Sequence, residues 1–273
     1  GGATVTINAP LTIFSDAFGF AEDDDALVTD STLTLDAKGA ITDFTGNDEK
    51  TDITATAFTI ADSTGIGTDA TDALNLSVTN LTITTTSENA FITEANGIGL
   101  GTVNVGDKAL DIQAITGDIT DNLLGDLTSA VTAGDLTLTA TATDGAIGAT
   151  GAADDINVEL GVGGTLTASA ADGTGGIFIS HTGDLTLGAV NADVTSGGDV
   201  EIATTGTLGT TAAADIVGNN ITLTLAADKL LTVDANTSIT GTGDVWPSYD
   251  PEFRPGDNLF GGSVIALDVQ TGE

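Results

Sequence analysis

The chain has 273 residues, 40 of them acidic and five basic, for a formal net charge of −35. Phosphate recognition needs clustered Lys and Arg, so this balance argues against nucleic acid and against an anionic membrane surface as partners. With no cysteine, the chain has no disulfides, thiolate metal sites or Cys nucleophile.

Hydrophobic residues still make up 40% of the chain, enough to build a core that acidic disordered segments lack. Aromatics are only 4%, so that core must be aliphatic. No apolar run reaches the roughly 18 residues of a membrane-spanning helix. Divalent cations or a salty medium are the natural companions of such charge, because salt shortens the reach of self-repulsion.

Gly1-Gly2 leads straight into the strand-like Ala3-Thr4-Val5-Thr6-Ile7, with no initiator Met or signal peptide, as in a processed product or an excerpt. The densest acidic run follows at Glu22-Asp23-Asp24-Asp25. Two readings stand for it. Clustered carboxylates suit the oxygen-rich shell of Ca²⁺, and a run of like charge is also an ordinary solvated loop. Neither an EF-hand loop nor the Ca²⁺-binding nonapeptide of β-rolls is present.

From residue 31 one phrase recurs: a turn of Gly, Asp or Asn, then alternating aliphatic and Thr residues. It reads Ser31-Thr32-Leu33-Thr34-Leu35, Asn80-Leu81-Thr82-Ile83, Gly134-Asp135-Leu136-Thr137-Leu138 and Gly164-Thr165-Leu166-Thr167. It returns as Gly183-Asp184-Leu185-Thr186-Leu187, Gly198-Asp199-Val200-Glu201-Ile202 and Asn219-Asn220-Ile221-Thr222-Leu223. A second phrase, Gly-x-Ile, lies between at Gly117-Asp118-Ile119, Gly145-Ala146-Ile147 and Gly176-Ile177. Leu136, Leu138 and Ala140 fall on one face and Thr137, Thr139 and Thr141 on the other, the period of a half-buried strand.

The first aliphatic position of the phrase passes from Leu136 to Leu166, Leu185, Val200 and Ile221, at uneven intervals. Irregular repeats of roughly 20 residues with Gly-rich corners predict an all-β fold, a parallel β-helix or β-solenoid. About a dozen coils at about 4.8 Å each predict a rod on the order of 50–60 Å. The alternative is an antiparallel β-sandwich, which usually wants more aromatic residues at its centre.

Three further sets of residues invite a site. Asp118, Asp135, Asp184 and Asp199 could recur at one corner, where stacked carboxylates would need a cation, or could simply bond the local backbone. Asp154-Asp155 is a weaker cation candidate. Ser180, His181 and Asp184 hold the residue types of a hydrolase triad, but sequence adjacency rarely supplies its geometry, and His181 reads as a turn residue. One His and no Cys leave zinc without ligands.

The composition breaks at residue 245. Residues 1–245 hold four lysines, no arginine, one proline, no Trp and no Tyr. Residues 246–273 hold Trp246, Tyr249, Arg254, Pro247, Pro251 and Pro255. Two regions are therefore expected: an acidic Thr/Gly-rich solenoid over 1–245 and a short irregular extension over 246–273.

The Gly-Asp-Leu-Thr-Leu and Gly-Asp-Val-Glu-Ile phrases, with intervening Gly-x-Ile, resemble the filamentous-haemagglutinin-like β-strand repeats of large bacterial surface proteins and secreted adhesins. The resemblance covers most of 30–245. It implies a right-handed parallel β-helix with an extracellular structural or adhesive role. In the extension, Arg254-Pro255-Gly256-Asp257-Asn258-Leu259-Phe260, Ser263-Val264-Ile265-Ala266-Leu267-Asp268 and Thr271-Gly272-Glu273 resemble one stretch of the quinoprotein alcohol dehydrogenases. Those are eight-bladed propellers that use pyrroloquinoline quinone and a metal. The match is confined to the extension, and the family's other cofactor-contacting residues have no counterpart. Arg254 and Asp257 therefore read as a turn, and no cofactor is assigned.

β-Helix polysaccharide lyases resemble the expected architecture, but their chemistry generally uses a basic residue with Ca²⁺. Residues 1–245 offer only Lys38, Lys50, Lys108 and Lys229, and an acidic rod repels an acidic polysaccharide. The expectation is a non-enzymatic structural protein, extracellular or at the cell surface. It would self-associate head to tail into a filament or matrix, with the extension docking on a neighbour. The alternatives are an adhesin that binds cations or glycans and, behind it, a fragment of a quinoprotein dehydrogenase.

Overall fold

A strand that alternates aliphatic and Thr residues has one face that must leave water and one that stays in it. The computed structural model describes residues 3–6, 11–13, 27–28, 32–43, 51–84, 86–123, 129–150, 155–170, 173–193, 197–212, 214–234 and 236–241. Among them are 24 short strands, from Ala3–Thr6 to Ser238–Gly241, and no helix. The run Glu22–Asp25, Asp154 and the extension 246–273 lie outside the described residues.

Strands pair with strands of the neighbouring coils, and every ladder between named strands is parallel. Single residues can be followed from coil to coil. One column runs Val5, Leu35, Ile60, Ile83, Val103, Val131, Val158, His181, Thr204 and Leu225. Another runs Ala90, Leu110, Leu136, Leu166 and Leu187. The chain is a β-solenoid of stacked parallel coils. The antiparallel sandwich is excluded, because hairpin pairing between consecutive strands would invert these registers. Among the described residues the one antiparallel bridge, Asp69 with Asp72, lies inside a loop.

The column from Val5 to Leu225 passes through ten coils, fewer than the expected dozen, and the coils differ in length. The step from Ile147 to its stacked partner Ile177 is much longer than the step from Leu81 to Leu100. The surplus leaves at the corners and does not disturb the stacked columns. The interior is continuous and aliphatic: Leu35, Ile60, Ile83, Val103, Leu136 and Leu187 are fully buried. Burying a Leu, Ile or Val of this kind stabilises by roughly 1.5–3 kcal/mol. No coil can do this alone, since each is roofed by the next.

The corners are held by carboxylates. Asp118 accepts from the backbone N–H of Ala146 (2.8 Å), Asp135 from Thr165 (2.8 Å), Asp144 from Thr174 (2.6 Å), Asp184 from Thr207 (2.7 Å) and Asp199 from Asn220 (3.0 Å). Each bond crosses from one coil to the following one. A turn aspartate thus supplies the rung that the strand ladder loses where the chain bends.

Candidate functional site

The sequence candidates fare unevenly. Glu22, Asp23, Asp24 and Asp25 fall outside the described residues, as does Asp154. Among the described residues no group of three His, Asp or Glu side chains is placed to hold a metal ion. The turn aspartates follow neither of the two readings: they bond the next coil, not the local backbone. The residue that donates each bond is Ala146, Thr165, Thr207 or Asn220, so no second acid sits at that place in the following coil. The charges are interleaved with neutral residues, and no cation is needed to separate them.

The histidine reading is also corrected. His181 is the last residue of the strand Ile177–His181 and is buried, because it shares the inward parity of Ile177 and Ile179. Its Nδ1 lies 3.0 Å from the Val158 carbonyl oxygen and its Nε2 3.0 Å from that of Asp184. Ser180 has the opposite parity and donates to Asn157 Oδ1 at 2.7 Å. Ser180 and His181 point to opposite faces of the strand, so no triad forms.

Two carboxylates not singled out from the sequence stand apart. Glu94 is completely buried, stacked between Leu76 and Ala114. Its two oxygens accept from Val78 N–H (3.0 and 3.1 Å), and one also accepts from Asn96 N–H (3.1 Å). The side chain stands in for a backbone carbonyl where coils of unequal length lose register. Burial pushes its pKa up to about 7, against the pull of those N–H groups. Its inward parity with Ala90 and Ile92 is the sequence signal for this position.

Asp111 is the second. It lies on the outer face of the strand Leu110–Ala114, half-buried, and burial pushes its pKa up. Phe91 flanks it on one neighbouring coil and Thr137 on the other. What shelters it is the arm Gly67–Ala73, which leaves the coil at Gly67. The φ of Gly67 is 64°, in the left-handed region, and a Cβ there would meet the Phe91 carbonyl oxygen at 2.8 Å.

The arm is internally braced. Thr68 N–H donates to Asp72 O (2.9 Å), and Asp69 Oδ1 accepts from Thr71 N–H (2.8 Å) and Thr71 Oγ1 (2.7 Å). Those Thr71 bonds, the hydroxyl's first, hold the Asp69 carboxyl below its usual range.

Between arm and sheet lie two adjoining cavities that share Ala70, Ala73, Thr93 and Gln113. One, of about 400 Å³, extends toward Thr51, Asn75 and Ile115. The other, of about 200 Å³, extends over Phe91, Asp111, Thr137 and Thr139. Asn75, Thr93, Gln113 and Thr139 stand in register on successive coils. The result is a groove that runs along the stack, with an amide or hydroxyl presented by each coil. Comparison with protein-family models, with curated proteins and with solved structures finds no match for this chain.

Proposed function

We propose that the chain is a structural subunit that joins end to end into a fibre or surface matrix outside the cell, by continuing its own coil stack into a second copy. The observation that carries this reading is the state of the last described coil. Leu231 is 45% exposed and Val233 37%, whereas Leu208 and Leu187, on the preceding coils, are fully buried. Leu230 beside them is 69% exposed. Within the described residues the strands Ile221–Leu225, Leu231–Thr232 and Ser238–Gly241 pair on one side only.

At the other end the strand Ala3–Thr6 also pairs on one side only among the described residues. Leu225 ends the column that Val5 begins. Open strand edges with apolar neighbours are where further strands add. Each copy brings a charge of −35, so joining requires screening.

Sedimentation and negative-stain microscopy of the full chain test this. Fibres are expected at 0.15 M salt and above, shortening at 10 mM salt, and Leu231→Asp should leave separate rods. Monomers at every salt concentration, or fibres unaffected by Leu231→Asp, would overturn the reading.

A further inference from the structure

The groove beside the Gly67–Ala73 arm has features that a fibre does not need. Asp111 is a half-buried carboxylate facing a cavity, and desolvation alone moves its pKa. Withdrawing a carboxylate from water without giving it a partner costs stability, so a sheet face with no task would carry Thr or Ser at that position. The coils that follow do something close to that: Thr137 and Thr167 continue the same row. The arm adds a second unnecessary feature, a braced wall standing off an otherwise regular face.

The lining decides the ligand class. Along the stack the groove offers Asn75, Thr93, Gln113 and Thr139, four neutral groups that both donate and accept. Three coil steps of about 4.8 Å make this row about 14 Å long, a spacing close to that of rings in an extended sugar chain. Phe91 gives the apolar patch against which a pyranose ring packs its C–H face, and Asp111 beside it accepts hydroxyl hydrogens. Among the described residues no Lys or Arg lines either cavity, and the chain's charge repels acidic sugars.

We propose that this groove binds a neutral, unbranched oligosaccharide lying parallel to the solenoid axis, with Asp111, Gln113 and Asn75 as its hydroxyl partners and Phe91 as its stacking surface. The arm is already braced, so little ordering is needed on binding. The site is displaced from the strand edges at which copies would join, and the proposal is independent of fibre formation.

Isothermal titration of the full chain with cellohexaose, maltohexaose and chitohexaose tests it. At least one should bind. Asp111→Ala and Gln113→Ala should each weaken that binding at least tenfold, while Thr222→Ala, on a remote coil, leaves it unchanged. Asp111→Asn, which keeps the shape, serves as a second variant, and circular dichroism checks that each variant keeps the wild-type spectrum. Three outcomes overturn the proposal: none of the three sugars binds at millimolar concentration; binding survives Asp111→Ala and Gln113→Ala unchanged; or spermidine binds in their place and depends on Asp111, which makes the groove a cation site.

Discussion

At the scale of the residue, parity along a strand decides where a polar group ends up, whatever its own preference. Glu94 and His181 sit inward because Ile92 and Ile179, two positions earlier, do. The parity was legible in the sequence. What each group would find to bond inside was not, because Val78 N–H and the Val158 carbonyl come from neighbouring coils. Glu94 carries a pH dependence with a definite sign. Its folded pKa, about 7, lies above its ordinary 4.5, so the folded state holds the proton more tightly. Its contribution is most favourable below pH 4.5 and is lost as pH rises to about 7, a change on the order of 3 kcal/mol. Glu94→Gln removes this slope. In urea titrations its stability relative to wild type should climb between pH 4.5 and 7.5 and level off above. A difference that stays flat across that interval would mean that Glu94 is ionised throughout.

At the scale of the element, strands were legible and register was not. Alternation marks Leu136–Ala140 and Thr165–Ala170 as strands with a known inner face. Which residues stack depends on coil length. The corners absorb a short step such as Leu81 to Leu100 and a long one such as Ile147 to Ile177 without a compositional cue. The same variability hid the groove. Nothing in the sequence of Gly67–Ala73 marks an arm that shares a cavity with Phe91 and Asp111. Corner glycines are the element's other constraint. A Cβ on Gly164 would collide with the Gly134 carbonyl oxygen one coil earlier. Backbone cannot yield there as a side-chain tip can, so Gly164→Ala should destabilise by about 2–3 kcal/mol, read as a lower urea midpoint with an unchanged slope. A midpoint equal to wild type would show that the corner relaxes freely.

At the scale of the whole molecule, one rule covers interior, corners and ends: each coil is finished by the next. Aliphatic columns roof one another, and turn aspartates reach forward to the following backbone. The last described coil shows what happens where that rule stops, with Leu230, Leu231 and Val233 left in water. A charge of −35 on each copy would hold copies apart at low salt, so the proposed joining depends on screening. Because strands lie across the stack, copies joined end to end should share one axis and one spacing. Fibre diffraction from aligned material measures this directly. A sharp reflection at about 4.8 Å along the fibre axis is expected. The same spacing perpendicular to the axis, or specimens that never yield fibres, would contradict end-to-end continuation of the stack.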